Sequence, residues 1–241
     1  MSARKELRSI TTRLKQHIQE QQFLDPEEIL PASAGGAAGT TAANRFEDLR
    51  ETVRACKKCR LGLTRIQAVF GEGNTKAKIM FIGEGPGFEE DHQGKPFIGR
   101  AGQLLTKIIE SMKYRREDVF IANIVKCHPM VNPENPELKG NDRPPAKDET
   151  AACIPYLYEQ IELINPSIIC TLGNPSTQAL LETQEPISKM RGKVYAFRGR
   201  KLIPTFHPAA LLRNPNLKAD TWKDMKLLLA NLPGAASLKD L

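Results

Sequence analysis

Short apolar runs alternate with amphipathic stretches along most of the chain. Four runs are continuous and rich in β-branched or aromatic residues, as buried strands are: Lys78–Gly83, Val119–Val125, Ser167–Leu172 and Lys201–Phe206. Helical spacing separates or follows them, over Ala101–Met112, Lys147–Leu163, about Ser176–Leu181, and Ala219–Leu232. Strands that alternate with helices predict an α/β fold, a three-layer α/β/α sandwich with a central, mainly parallel four-stranded sheet.

The N-terminal part has a different character. Leucine and isoleucine recur there at steps of three and four, which predicts an amphipathic helix within residues 1–30. Residues 31–45 are dominated by Ala and Gly and predict a flexible linker. A globular domain is expected over 46–232 and a tail over 233–241. Two roles are open for the helix: docking on this domain, or binding an unidentified protein partner.

Composition places the chain among ordinary globular proteins. Hydrophobic residues make up 40% and charged residues 26%, which excludes a disordered or fibrous chain. No apolar run approaches the roughly 20 residues that span a bilayer, so no membrane partner is expected. The N-terminus has no apolar segment behind its charges, which favours a cytoplasmic protein. Length suggests one main domain, and a monomer is expected.

The net charge of +7 is concentrated near the C-terminus. Residues 188–241 contain eleven lysines and arginines against three acidic residues, and seven of these cations lie between Ser188 and Arg213 without an acid. A second basic cluster surrounds Cys56 and Cys59. Basic surfaces attract phosphate backbones. The alternative is a solvated basic face; the segregation favours a polyanionic partner.

Polar residues follow the ends of the predicted strands. Gly83-Glu84-Gly85-Pro86-Gly87 follows the first strand, Asn123 lies in the second, and His207 follows the fourth. In parallel sheets ligands bind at the carboxyl ends of the strands. A carboxylate, an amide and an imidazole are therefore expected at one edge. The glycine-rich turn lacks full GxGxxG spacing, and Pro86 removes an amide donor, so a nucleotide site is disfavoured.

Four of the five cysteines suggest a metal centre. Cys56 and Cys59 form a CxxC pair, and Cys127 and Cys153 could complete a four-sulfur site for zinc or an iron–sulfur cluster. Disulfides and a thioredoxin-like redox motif are weaker alternatives. Cys170 lies within an apolar run and is expected to be an inert buried thiol.

Several motifs together resemble the family 4 uracil-DNA glycosylases, the iron–sulfur branch of their superfamily. They occur in the family's order across about residues 50–232: GEGPG at 83–87, EEDHQGKPFIGRAGQLL at 89–105, ANIVKC at 122–127, NDRPPAKDETAAC at 141–153 and HPAALLRNP at 207–215. The resemblance implies a DNA repair enzyme that flips uracil out of single- or double-stranded DNA. It would hydrolyse the N-glycosidic bond and leave an abasic site.

The resemblance also implies roles for individual residues. Cys56, Cys59, Cys127 and Cys153 would bind a [4Fe–4S] cluster. Glu84 and His207 would be catalytic, and substrate contacts would come from Gly83, Gly85, Gly87, Phe97 and Asn123. Phe97 would stack on uracil, Asn123 would read its Watson–Crick edge, and His207 would contact its O2. Residues entering the DNA would be Ala209, Leu211, Leu212 and Arg213.

Two features depart from the family pattern. The loop between Cys127 and Cys153 is long and contains VNPENPELKGND, an insertion that is either disordered or near DNA. The loop also lacks the histidine with which a related branch traps uracil-DNA covalently, which favours turnover. The alternative functions are a non-catalytic nucleic-acid-binding protein with a structural iron–sulfur or zinc site, and an electron carrier.

Overall fold

A six-stranded mixed sheet forms the centre of the computed structural model, which describes residues 41–234. In chain order the strands are β1 (Glu72–Gly73), β2 (Ile79–Gly83), β3 (Phe120–Asn123), β4 (Ile168–Leu172), β5 (Tyr195–Phe197) and β6 (Arg200–Thr205). Their order across the sheet is β1-β3-β2-β4-β6-β5. The four inner strands are parallel, and the two edge strands run antiparallel to their neighbours.

The prediction of four strands was therefore wrong in number, although all four predicted strands are present as the inner, parallel ones. Both missed strands are very short edge strands. Strand β5 joins β6 through a two-residue turn in which Arg198 and Gly199 have φ angles of 47° and 75°. Positive φ at both turn residues matches the right-handed twist of a hairpin. The three residues of β5 are too few to produce a recognisable alternation.

Helices cover both faces of the sheet. They are α1 (Ala42–Ala55), α2 (Leu61–Thr64), α3 (Phe88–Gln93), α4 (Arg100–Ser111), α5 (Lys147–Ile164), α6 (Asn174–Leu181), α7 (Ile187–Met190), α8 (Pro208–Arg213) and α9 (Leu217–Ala230). On one face Met80 and Ile82 of β2 pack in a cluster with α1 and α5. On the other face Ile79 and Phe81 pack in a cluster with α4 and α9. Alternate side chains of one strand thus enter two cores, and the three-layer α/β/α prediction is confirmed.

The body begins earlier than the sequence predicted. Helix α1 starts at Ala42, inside the range assigned to the linker, and the Thr41 hydroxyl caps it by accepting the N–H of Asn44. Its buried residues, Phe46, Leu49 and Val53, recur at the three- and four-residue steps of one helix face. Most of the predicted linker, the N-terminal helix and residues 235–241 lie outside the described residues. Within 41–234, no helix is long and apolar enough to cross a membrane.

The sheet topology creates a crevice at its carboxyl edge. The chain passes from β2 to β3 on one side of β2, and then to β4 on its other side. Loops that leave neighbouring strands in opposite directions leave a gap between them, where ligands of open α/β sheets bind. The loops after β2, β3 and β6 all meet at this edge.

Candidate active site

A cavity of about 390 Å³ opens at the carboxyl edge of the parallel strands. Seven of the residues predicted from the sequence line it: Glu84, Gly85, Gly87, Phe97, Asn123, His207 and Ala209. They come from the loops after β2 and β6, from the end of β3, and from the turn before α4. The expectation that a carboxylate, an amide and an imidazole meet at one edge is confirmed.

The amide of Asn123 is buried in the wall of this cavity. Asn123 is only 1% exposed, and its Oδ1 has no hydrogen-bond partner in the described part of the chain. A buried, unpaired amide oxygen is costly unless a ligand satisfies it. Gly83 makes the arrangement possible, because a Cβ there would lie 2.5 Å from Asn123 Oδ1 and 2.6 Å from Phe97 Cε2.

The ring of Phe97 is held in the cavity by a strained backbone. Phe97 has a φ of 51°, in the left-handed region that bulky residues avoid. Arg116 donates to the carbonyl of Pro96, and α4 packs directly on the Phe97 carbonyl, where a Cβ at Gly102 would overlap it. The Phe97 ring centroid lies 5.6 Å from that of His207. Backbone strain of this kind persists only where surrounding contacts enforce it.

His207 caps helix α8 and presents one ring nitrogen to the cavity. Its Nδ1 accepts the N–H of Ala209 at 3.1 Å. Burial, and after it the positive charge of Arg213, lower the pKa of His207 to about 4. The imidazole is therefore neutral at pH 7, and because Nδ1 accepts a hydrogen bond, the proton lies on Nε2. His207 can donate one hydrogen bond to a ligand oxygen.

Glu84 follows β2 and is half-buried. Burial raises the pKa of its carboxyl group. Its carbonyl accepts the N–H of Val125 at 3.2 Å, and the carbonyl of Gly83 accepts the N–H of Ile124 at 3.0 Å. The glycine-rich loop thus continues the pairing of β2 with β3 beyond Asn123, which is why the acid and the amide line the same cavity.

Helix α8 exposes only part of the segment predicted to enter DNA. Leu212 is 40% exposed and Arg213 is exposed, whereas Leu211 is 1% exposed and packs into the body. Leu212 and Arg213 are therefore the accessible members of this segment, and the entry of Leu211 into DNA stays a prediction. Residues 208–213 form a helix, and its helical spacing turns neighbouring side chains to different sides.

Sequence reasoning missed one wall of the cavity, formed by Asp142, Arg143, Pro144 and Pro145. The long loop before this wall is ordered in the described chain: Met130 pairs with Asp142 in a β-bridge, and the side chain of Asn141 accepts from and donates to the loop backbone. The NDRPP motif was the available signal. Arg143 lines the cavity but is committed to the buried Glu149, at 2.7 Å.

The basic segment after Ser188 does not form a single free surface. Arg191 pairs with the buried Asp224 at 2.8 Å, and Arg200 pairs with Glu162 at 2.8 Å. Arg198 lies over the ring of Tyr158. These arginines are paired within the protein. The number of basic residues in this segment is therefore larger than the number that is free to contact phosphates.

The four predicted metal-binding cysteines line a second pocket, which shares no lining residue with the cavity: Cys56, Cys59, Cys127 and Cys153. Donors surround the sulfurs. Arg65 donates to Cys127 Sγ at 2.9 Å, Tyr156 to Cys56 Sγ at 3.2 Å, and the N–H of Lys126 to Cys153 Sγ at 3.3 Å. Across 41–234, no three His, Cys, Asp or Glu side chains are arranged as the ligands of one shared metal ion. Cys170 is fully buried in the sheet, as predicted.

One residue joins this pocket to the cavity. Buried Lys126 donates through Nζ to the carbonyl of Asn123 at 2.8 Å and to Gln160 Oε1 at 2.7 Å. Its own N–H bonds Cys153. A single side chain thus links the strand end that carries the buried amide to the cysteines.

A model of the uracil DNA glycosylase superfamily matches residues 70–226. The chain belongs to this superfamily. The match covers every residue of the cavity and Cys127 and Cys153, whereas Cys56 and Cys59 precede it.

Curated relatives narrow the placement within the superfamily. The type-4 uracil-DNA glycosylase of Sulfurisphaera tokodaii is 46% identical over 190 residues, which cover 75% of this chain and 82% of the relative. That of Saccharolobus solfataricus is 48% identical over 187 residues, covering 74% and 82%. That of Thermotoga maritima is 44% identical over 176 residues, covering 72% and 86%. This superfamily member therefore groups with the type-4 uracil-DNA glycosylases.

Proposed function

We propose that this chain excises uracil from DNA by hydrolysing the N-glycosidic bond, which releases free uracil and leaves an abasic site. The observation that carries the proposal is the cavity, in which an aromatic ring, a buried amide with an unpaired oxygen and a neutral imidazole face a space of about 390 Å³. The family membership and the names of the relatives support it.

The cavity is suited to a single flipped base. A base within a duplex is inaccessible, and extruding it costs a few kcal/mol. The ring of Phe97 would stack on the flipped uracil. Asn123 Oδ1 would accept the uracil N3–H, and its amide nitrogen would donate to O4. Cytosine presents an acceptor and a donor at these positions, so it would leave buried groups unpaired.

Bond cleavage leaves a cation-like sugar and a uracil anion. The Nε2–H of His207 would donate to uracil O2 and stabilise the anion without transferring its proton. Glu84 would orient the water that attacks C1′. The water oxygen bonds to C1′, one of its protons passes to the Glu84 carboxylate, and the electron pair of the glycosidic bond leaves with the uracil anion.

Helix α8 would hold the opened DNA. Leu212, the exposed leucine, would fill the space that the flipped nucleotide leaves, and Arg213 would contact phosphate. The cytoplasmic location, the monomeric state and a protein partner for the N-terminal helix stay predictions.

The cysteine pocket fits an iron–sulfur cluster by the chemistry of its donors. Four sulfurs, with an arginine, a tyrosine hydroxyl and a main-chain N–H donating to three of them, suit the thiolates that ligate such clusters. We propose that Cys56, Cys59, Cys127 and Cys153 hold a [4Fe–4S] cluster. When bound, it would crosslink α5 to the segments before α2 and after β3. Brown colour with absorption near 400 nm and about four irons per chain are expected; one zinc per chain would contradict the cluster.

The function is tested by incubating the full chain with an oligonucleotide that contains one uracil. Free uracil and an alkali-labile abasic site are expected from single- and double-stranded substrates. Binding of the oligonucleotide without release of uracil would instead identify a non-catalytic nucleic-acid-binding protein.

A further inference from the structure

One carboxylate bridges two loops that form the cavity. Glu90, in α3, lines the cavity together with the residues described above. Its Oε1 accepts the N–H groups of Ile98 and Gly99 at 2.9 and 3.0 Å, and its Oε2 accepts the N–H of Gly87 at 3.2 Å. Glu90 therefore joins the end of the glycine-rich loop to the turn that follows Phe97.

The neighbouring acids have different tasks. Glu89 is exposed, and within residues 41–234 its carboxylate forms an ion pair only with Lys139, at 4.0 Å. Asp91 is buried but faces the other way, where it accepts the N–H groups of Ile66 and Gln67. Of these three consecutive acids, Glu90 is the one whose carboxylate accepts N–H groups of the turn after Phe97 within the described residues, whereas Glu89 lies beside Gly99 only with its apolar stem. This difference makes Glu89 a matched control.

The bonds of Glu90 fall where the backbone most needs support. Phe97 is held at a φ of 51°, and the next two N–H groups are the ones that Glu90 accepts. Hydrogen bonds to an ionised acceptor are roughly twice as strong as neutral ones. The opposite end of the bridge is Gly87, in the loop that carries Glu84. A shift of Glu90 would therefore displace the ring of Phe97 relative to the carboxylate of Glu84.

We propose that Glu90 is a positioning residue: its carboxylate holds the strained turn of Phe97 against the glycine-rich loop and so sets the stacking surface of the base pocket. It acts through Phe97 and touches no reacting atom. The activity readout rests on the proposed uracil excision, whereas the order of the turn can be measured without any substrate.

The test that needs no substrate is hydrogen–deuterium exchange of the full-length protein with its proposed [4Fe–4S] cluster bound. In Glu90→Gln one carboxylate oxygen becomes an NH2 group that faces an N–H, so one end of the bridge is lost. Either the amides of Ile98 and Gly99 or the amide of Gly87 should therefore exchange roughly 10-fold faster or more. Glu89→Gln should leave their exchange unchanged. Unchanged exchange in Glu90→Gln would overturn the proposal. If Glu90→Gln does not fold, Glu90→Asp keeps the charge at a shorter reach and should show the same faster exchange.

The activity test is a double-mutant cycle with Phe97→Leu, measured as single-turnover release of uracil. Glu90→Gln alone should lower the rate roughly 10- to 100-fold. In the Phe97→Leu background the same change should cost no more than about 3-fold, because the ring that Glu90 positions is gone. An equal loss in both backgrounds would show that Glu90 does not act through Phe97. Absence of activity in the unmodified protein would refute the proposed function, and the exchange result would still decide the role of Glu90.

Discussion

Gly83 is the position at which a single methyl group should disturb the base pocket most directly. A Cβ in Gly83→Ala would lie 2.5 Å from Asn123 Oδ1 and 2.6 Å from Phe97 Cε2, distances that real Cβ atoms do not show. Both neighbours are buried and cannot move into solvent. Either the ring moves into the cavity, or strands β2 and β3 shift apart.

The size of the effect follows from these two routes. Overpacking a buried site costs about 1–3 kcal/mol. If the ring moves, the cost falls on substrate binding and catalysis, roughly 5- to 150-fold in rate at about 1.4 kcal/mol per factor of ten. If the strands shift, the cost falls on folding, about 2–4 °C in Tm for each kcal/mol in a domain of this size.

Thermal unfolding and single-turnover release of uracil together measure both routes. Gly87→Ala is the matched comparison on the same loop, because its Cβ meets only carboxylate oxygens, at 3.1 and 3.4 Å, and should cost less. Phe97→Leu removes the ring atoms and should reduce the effect of Gly83→Ala. If Gly83→Ala changed neither Tm nor rate, the close approach of the amide and the ring would be refuted.

Three further predictions follow from the site. In an NMR titration of the folded protein, the ring of His207 should have its pKa near 4 instead of near 6.5. Because the folded-state pKa of His207 is depressed, the stability contributed by the neutral ring is present above about pH 6.5 and is lost as the pH falls towards 4. A midpoint near 6.5 would contradict the lowering of this pKa by burial, and a midpoint above about 7 would contradict the neutral donor. Leu212→Ala should slow excision from duplex DNA more than from single strands, and equal slowing would remove its role in filling the stack. Lys126→Met removes the hydrogen bond from Lys126 Nζ to the carbonyl of Asn123, so it should lower the free energy of unfolding by about 1–3 kcal/mol in thermal melts. An unchanged free energy of unfolding would show that this bond is absent.

The inner sheet and much of the cavity could be predicted because they depend on continuous patterns. Four buried apolar strands have strong local signals, and the carboxyl-edge rule then brings Glu84, Asn123 and His207 together without side-chain detail. The two edge strands could not be predicted because each has only two or three residues, too few to show an alternation that differs from a loop.

Other parts of the site depend on contacts that no spacing reveals. The burial of Leu211 follows from the packing of α8, and Leu211 and Leu212 look equivalent in the sequence. The sequence does not show which acid Arg191 pairs with, and only the fold places it against the buried Asp224. Glu90 lies in a run of three acids, and only the folded turn after Phe97 distinguishes it from its neighbours.

Base discrimination by Asn123→Asp tests the central claim most directly, that this cavity reads uracil through one buried amide. Single-turnover excision should be compared between matched oligonucleotides with uracil or cytosine at one position. His207→Ala is the control, because it should lower the rate while keeping the preference for uracil. We expect Asn123→Asp to narrow that preference, since a carboxylate accepts the cytosine amine and repels uracil O4. An unchanged ratio of uracil to cytosine excision would contradict the reading of the base by Asn123.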